Sequence, residues 1–323
     1  MPAVPGHLYV TRLLTDDAMA AVAALDVPLV VGREDPPTAA ELRRDAAGAA
    51  AIVATLTDRV DAAVLDAAGP SLRVVANVAV GYDNVDVVAA RARGVVVTNT
   101  PGVLDGATAD LTMGLVLAAA RRITEGDRFL RTGEPWVWGP RMLVGLDVSA
   151  GATLGIVGYG RIGRAVARRA RAFDMQVLAT PTRGELSPAE RDAVEFRDLS
   201  DLLATSDVVT LHCPLTPQTH HLVDDAALAR MRPTALLVNT ARGGIVDTDA
   251  LVRALTEGRL AGAALDVFED EPDVDPRLRA LPQVVLTPHL GSAGARTRSA
   301  MCGLAVDNVA AVLAGRPPLT PVG

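Results

Sequence analysis

The stretch from 153 to 182, TLGIVGYGRIGRAVARRARAFDMQVLATPT, constrains the fold more than any other part of the chain. A short apolar run, Leu154 to Val157, breaks at Gly158, Gly160 and Gly163, an Ala/Arg-rich helical pattern follows to Phe173, and a second apolar run comes at 176–179. The order is strand, glycine turn, helix, strand. In the spacing G-x-G-x-x-G the first glycine permits a tight turn, the second lets the main chain approach a pyrophosphate, and the third lets helix and strand pack closely. The helix N-terminus then offers its unpaired N–H groups to phosphate. Set between a strand and a helix, the motif predicts a dinucleotide site, with Gly158, Tyr159, Gly160, Arg161, Ile162 and Gly163 as candidates.

Around this stretch apolar runs and helical patterns alternate. Before it, strands are expected at 8–10, 29–31, 50–54, 72–76 and 95–98, with helices near 16–24, 39–45, 61–68 and 85–93. That alternation argues a parallel, doubly wound sheet, and since this half has no glycine fingerprint it is expected to be the partner of the nucleotide domain. A long helical pattern at 108–130 and a polar loop with Trp136 and Trp138 lead into the fingerprint. After it come strands near 194–196, 208–211, 235–239, 261–266 and 284–286, helices near 199–204, 224–231 and 248–257, and a last helix at 296–314.

Composition narrows the function. A length of 323 residues allows about two domains with real cores. The net charge of −7 and 3% aromatic content argue against nucleic acid and anionic membranes as partners. All 31 basic residues are arginine, which removes Schiff-base chemistry and a Walker lysine together. Cys213 and Cys302 lack metal-ligand spacing and suit a reducing, cytoplasmic compartment, so neither a disulfide framework nor a metal is expected. The sequence shows no signal-peptide pattern and no uninterrupted apolar span, so neither is expected.

Ligands in open α/β sheets bind at the carboxyl ends of strands. Three expected strand ends carry polar groups: Asn239 to Gly244 with Arg242, Asp266 to Pro272 with two glutamates, and Thr287 to Gly291 with His289. A histidine at one strand end is more often structural than catalytic, and Arg242 alone reads as surface. Jointly they supply an arginine to clamp a carboxylate, a histidine to move a proton, and an acid to orient it.

The motifs NVAVGYDNVD (77–86), VTNTPGVL (97–104), TADLTMGL (108–115), GIVGYGRIG (155–163), HCPLTPQT (212–219), LLVNTARGGIVD (236–247), ALDVFEDEP (264–272) and LTPHLGSA (286–293) run through the chain. On these residues the sequence resembles the D-isomer-specific 2-hydroxyacid dehydrogenases, most of all their glyoxylate/hydroxypyruvate reductases. The resemblance implies an α/β protein of two doubly wound parallel-sheet domains, a Rossmann cofactor domain (99–288) inserted in a flavodoxin-like substrate domain (1–98 and 289–323), with closure between them. It implies that Arg242, Glu271 and His289 are catalytic, and that Glu271, immediately before Pro272, is preferred over Glu269. Val80 and Gly81 would hold the substrate carboxylate by their main chain. Thr108, Cys213, Pro214, Thr219, Thr240, Asp266 and Gly291 would join the fingerprint in lining the cofactor. A homodimer is expected, with Trp136 and Trp138 either reaching a neighbouring subunit or anchoring the helix before them. A non-catalytic, NAD(P)-sensing corepressor is the alternative from another class, and a phosphite or formate dehydrogenase a distant third.

Enzymes that use NAD carry an acid about 20 residues past the glycines for the ribose hydroxyl. Here that position falls on Pro181, flanked by Thr180, Thr182 and Arg183. An arginine with hydroxyls suits a 2′-phosphate, so NADP is expected over NAD, unless Arg183 points to solvent and both are accepted.

Overall fold

The computed structural model describes residues 6–181 and 186–322. The chain forms two compact units, Met1–Leu104 with Ala293–Gly323, and Asp105–Ser292. The first segment runs β1 (His7–Val10), α1 (Asp16–Ala23), β2 (Leu29–Val31), α2 (Ala39–Ala46), β3 (Ala49–Thr55), α3 (Ala62–Ala68), β4 (Val74–Val78), α4 (Val87–Ala92) and β5 (Val96–Thr98). The second unit begins with α5 (Asp105–Ala120), α6 (Ile123–Arg131), β6 (Thr153–Val157), α7 (Arg161–Arg171), β7 (Gln176–Ala179), α8 (Pro188–Asp192) and β8 (Glu195–Phe196). It continues with α9 (Leu199–Thr205), β9 (Val208–Leu211), α10 (Asp225–Leu228), β10 (Leu236–Asn239), α11 (Thr248–Thr256), β11 (Gly262–Leu265), α12 (Pro276–Ala280) and β12 (Val284–Leu286). A final helix, α13 (Ala295–Leu313), returns to the first unit and packs on β3, β4 and α1.

Both sheets are parallel throughout. The five-stranded sheet has the order β2-β1-β3-β4-β5, the doubly wound order of flavodoxin. The seven-stranded sheet has the order β12-β11-β10-β9-β6-β7-β8, which reverses direction between β6 and β9. That is the Rossmann arrangement, and the reversal marks where a dinucleotide binds. Burial on both faces explains the sequence pattern: β9, β10 and β11 are buried at every position, so they read as continuous apolar runs and not as alternation.

The crossings between units fall at Leu104/Asp105 and Ser292/Ala293, a few residues beyond the 98/99 and 288/289 read from the sequence. Hydrogen bonds explain the displacement. Asn99 N–H donates to Thr320 O at 3.2 Å and Thr100 N–H to Ala79 O at 2.9 Å, which keeps both with the first sheet. At the return, the main chain of residues 289–291 hangs on Asp266 in the second unit.

The helix expected at 108–130 is two helices. Arg122 takes a left-handed conformation, φ 54°, between α5 and α6. The chain at Gly145 passes so close that a Cβ there would lie 2.0 Å from Ala120 O, and Leu146 N–H bonds that carbonyl at 2.8 Å. The end of α5 is thereby capped from outside the helix, while the Arg122 guanidinium grips Glu125 at 2.6 and 2.8 Å. No helix among the described residues is long and apolar enough to cross a membrane.

Candidate active site

At the end of β6 the three fingerprint glycines do three different things. Gly158 has φ +99°, and a Cβ on it would meet Cys213 N at 2.5 Å, so the turn presses against the chain leaving β9. Gly163 lies under the turn, where a Cβ would stand 2.3 Å from Gly158 O. A Cβ on Gly160 would meet nothing within 4 Å. The middle glycine therefore borders open space, as a main chain that lies against a pyrophosphate must. Aspartates cap α3, α4, α9, α10 and α11 by accepting from a first-turn N–H; Gly160 gives α7 no side-chain cap. Its N–H groups and the positive end of its dipole remain for an anion. These residues fit a dinucleotide.

Tyr159 serves differently from its neighbours. Its ring is 2% exposed, packs edge-on against Phe196 at 5.6 Å, and its hydroxyl donates to Glu190 O at 3.1 Å. Burial and the nearby Glu190 raise the phenol pKa. Only the main chain of Tyr159 is left for a cofactor. Arg161 is mostly exposed, 3.9 Å from Asp105. At the end of β7, Thr180 Oγ1 accepts from Gly158 N–H at 3.0 Å, so the residue just before the Pro181 position braces the glycine turn. Thr182 and Arg183 lie outside the described residues.

The ends of β10, β11 and β12 converge on one network. Asn239, 1% exposed, accepts from Ala241 N–H at 3.0 Å and donates to Arg242 O at 2.8 Å, shaping the loop that carries Arg242. A Cβ on Gly243 would sit 1.9 Å from the Phe268 carbonyl carbon, so this loop lies flush against the one that follows β11. Asp266 is fully buried and holds the loop after β12: Oδ1 accepts from Thr287 Oγ1 at 2.6 Å and Leu290 N–H at 2.7 Å, and Oδ2 from Gly291 N–H at 2.8 Å. His289 N–H donates to Asp266 O at 2.8 Å, and the residue takes φ 54°. A left-handed histidine costs of order 1 kcal/mol or more and persists only where its surroundings impose it; here Asp266 imposes it.

Held this way, His289 Nδ1 lies 2.8 Å from Glu271 Oε2, while Phe268 N–H donates to Oε1 at 2.9 Å. Burial pushes the Glu271 carboxyl up, but the His289 hydrogen bond and charge, the Phe268 N–H and the Arg242 guanidinium outweigh it and hold the pKa below the usual glutamate value. Glu271 is thus an anion beside an arginine and a histidine. Glu269 belongs elsewhere, 2.6 Å from His221 Nε2.

Other expected cofactor residues are placed around the turn as scaffold. Thr219 Oγ1 donates to Pro214 O at 2.6 Å and accepts from Thr216 N–H at 2.8 Å. Thr240 Oγ1 and Thr112 Oγ1 are 2.9 Å apart, and a Cβ on Gly291 would touch Thr108 at 3.5 Å. Burial pushes the Cys213 thiol up to about 11, so it is neutral and inert. In the first unit, Asn77 donates to Gly81 O at 2.9 Å and Asn99 to Val80 O at 2.8 Å. Both carbonyls are tied back, and what that turn can present to an anion is its N–H groups. Asn77, Asn99, Asn239 and the hub role of Asp266 are invisible in the sequence, where nothing marks an asparagine at a strand end as a brace.

A glycine turn at a sheet reversal, with an arginine and a half-buried carboxylate–histidine pair at adjoining strand ends, defines a nicotinamide-dinucleotide dehydrogenase. Comparison with known proteins carries this further. Residues 113–291 match the family model for the D-isomer specific 2-hydroxyacid dehydrogenase NAD binding domain. Glyoxylate reductase of Pyrococcus horikoshii is 50% identical over 276 residues, 84% of this chain and 81% of that protein. Its counterpart from Thermofilum pendens is 44% identical over 318 residues, 96% and 92% of the two chains. Among solved structures, the NADPH-dependent glyoxylate/hydroxypyruvate reductase of Sinorhizobium meliloti, in complex with NADP and malonate, superposes with a TM-score of 0.83 at 35% identity, covering 98% of this chain and 97% of that one. The chain belongs to the D-isomer specific 2-hydroxyacid dehydrogenase family.

Proposed function

We propose that the protein reduces glyoxylate or hydroxypyruvate to the 2-hydroxy acid, in the D configuration where the product is chiral, with a reduced nicotinamide dinucleotide. The His289–Glu271 pair carries this reading, set beside the Arg242 loop at the carboxyl ends of the sheet that bears the glycine turn. When bound, the cofactor supplies the hydride that adds to the keto carbon. Arg242 binds the substrate's carboxylate and keto oxygen and polarises the carbonyl. Because Nδ1 of His289 is taken by Glu271, Nε2 is the atom that gives the keto oxygen its proton. Glu271 fixes the ring orientation so that Nε2 faces the substrate. By the family pattern, the main-chain amides of Val80 and Gly81 are the ones that would hold the substrate carboxylate. The residues that would hold a dinucleotide are Gly160 and the N–H groups that open α7, Arg161 and Ile162 among them, for the pyrophosphate, with Gly158, Gly163, Cys213, Pro214, Thr219, Thr240, Asp266, Gly291 and Thr108 as the surrounding wall.

NADP is the preferred cofactor in this reading, since the end of β7 offers no carboxylate at Thr180 or Pro181 to repel a 2′-phosphate, and Thr182 and Arg183 follow at once. Loss of reduced-nicotinamide absorbance on addition of glyoxylate or hydroxypyruvate tests the activity. Turnover is expected with both acids and a higher kcat/KM with NADPH than NADH; no turnover with any small 2-oxo acid overturns the reductase, and an NADH preference overturns only the cofactor choice. A homodimer accounts for the exposed apolar side chains of α6 and the loop after it: Ile123, Leu130, Trp136 and Trp138 are all more than half exposed, and Val137 is 88% exposed. In this reading the exposed indoles of Trp136 and Trp138 face the neighbouring subunit and not α6. Sedimentation that gives a monomer, at any protein concentration, overturns the dimer.

A further inference from the structure

On the loop that carries Glu271, two residues earlier, a second histidine–carboxylate cluster stands apart from the first. His221 Nε2 is 2.6 Å from Glu269 Oε1, the His220 and His221 rings stack with centroids 4.0 Å apart, and one donor atom from each of the three residues lies within 4.8 Å of the others. No step of the proposed reduction uses them. We propose that His220, His221 and Glu269 form a binding site for a borderline divalent transition metal of the zinc type.

Four observations support the site. The donor set, two imidazoles and a carboxylate, is the one such ions take when coordination positions remain open for water. The carboxylate is oriented from behind: Thr248 Oγ1 donates to Glu269 Oε2 at 3.0 Å, the kind of outer-shell bond that fixes a ligating oxygen. The main chain of the ligands is rigid, with His221 N–H bonded to Gly244 O at 2.9 Å and Val223 N–H to Ile245 O at 3.0 Å, and His221 is held at φ 50°. Finally, His221 and Glu269 line a cavity of about 410 Å³ that also carries Asp247, Asp249, Asp270, Asp273 and Asp275 against Arg277 alone. That field concentrates cations.

On binding an ion the hydrogen bond between His221 and Glu269 would give way, and their separation would widen from 2.6 Å to about 3.4 Å, the edge of a tetrahedron with bonds of about 2.1 Å. His220 is exposed and its ring can swing to close the third bond. The ion would tie the loop after β9 to the loop after β11 across Gly243 and Gly244, and so rest against the segment that holds Arg242.

Equilibrium dialysis of the full-length, tag-free protein against Co²⁺ and Zn²⁺, with the visible Co²⁺ spectrum recorded, tests this. One equivalent per chain is expected, with affinity at least tenfold weaker in His220→Ala, His221→Ala and Glu269→Gln and unchanged in His289→Ala. His220→Ala removes an exposed side chain, so its loss of binding cannot be blamed on misfolding. Absence of stoichiometric binding overturns the site, as does binding that survives in His220→Ala and His221→Ala or disappears only in His289→Ala. The result is independent of which acid the enzyme reduces.

Discussion

Two histidine–glutamate pairs sit on the loops around one strand end, and only one is built to move a proton to substrate. His289–Glu271 is bonded at 2.8 Å and His221–Glu269 at 2.6 Å, with all four side chains between 23% and 35% exposed. Distance and burial therefore do not tell them apart. Their neighbours do. Glu271 receives the Phe268 N–H and feels the Arg242 guanidinium, and its histidine hangs from Asp266 at a strand end in a left-handed conformation. Glu269 is braced by Thr248, and the pair faces a cavity lined by acids. A histidine beside a carboxylate becomes a proton donor to a keto acid only where a cation grips the acid next to it; among carboxylates it is better suited to hold a cation of its own.

The sharpest way to break the contrast is to remove each imidazole in turn. Loss of a positioned proton donor lowers turnover by about 10² to 10⁴, so His289→Ala is expected to cut kcat with hydroxypyruvate by that factor. His221→Ala is expected to stay within about threefold, because its side chain touches Glu269 and His220, which the reaction does not use, and its main-chain bond to Gly244 is kept. Equal losses in the two variants would erase the distinction.

Next in size is Glu271→Gln, which keeps the shape and removes the carboxylate charge beside His289. By analogy with other residues that orient a catalytic imidazole, kcat is expected to fall by about one to two orders of magnitude. Stability carries a second sign. The Glu271 pKa is lower folded than unfolded, so its contribution is complete above the ordinary value of 4.5 and disappears as pH drops through the folded value. Chemical denaturation should show wild type more stable than Glu271→Gln at neutral pH, with the gap closing below 4.5. A gap that instead widens on acidification would reverse the assignment of the charge.

How far the sequence exposed this contrast follows from what each residue type signals. Three glycines between a strand and a helix have few other uses, so the dinucleotide turn was legible, and the continuous apolar runs of β9 to β11 announced a sheet buried on both faces. Arg242, Glu271 and His289 could be placed at strand ends by alternation alone, but the choice of Glu271 over Glu269 needed the family pattern. The sequence carries no mark of the second pair, because His221 and Glu269 lie 48 residues apart. Nor does it mark Asp266 as the post from which the His289 loop hangs: an aspartate after a strand reads equally as a ligand. The break between α5 and α6 was missed for a similar reason, since it depends on Gly145 passing Ala120 O, a contact made from outside the helix.

Asp266 offers a way to sharpen the comparison through structure and not through charge. Asp266→Ala strands Thr287 Oγ1 and the N–H groups of Leu290 and Gly291 in a buried site, and unsatisfied buried donors cost about 1–3 kcal/mol each when water cannot reach them. Thermal or urea denaturation is expected to show a loss of about 2–4 kcal/mol, reduced from the full sum because a vacated carboxylate leaves room for water. Turnover should fall with it, since the loop on either side of His289 loses the three bonds, from Thr287, Leu290 and Gly291, that hold it in place. A variant as stable as wild type would mean the loop is held by other contacts.

The smallest effect is expected at Glu269. Its ion pair with His221 is about a third exposed, and pairs of that kind contribute roughly 0–1 kcal/mol. Glu269→Gln keeps one acceptor oxygen, for Thr248, and turns an amide N–H toward His221 Nε2, so at this partly exposed site its stability should change by less than about 1 kcal/mol and its kcat by less than about twofold. Its visible consequence is confined to metal affinity. That separation matters because Glu269 precedes Glu271 by two residues in one short loop: were the loop a single electrostatic unit, neutralising either acid would slow the reaction. Unchanged turnover in Glu269→Gln beside impaired turnover in Glu271→Gln shows that the loop presents two independent carboxylates, one turned to the reaction through His289 and one turned away from it through His221.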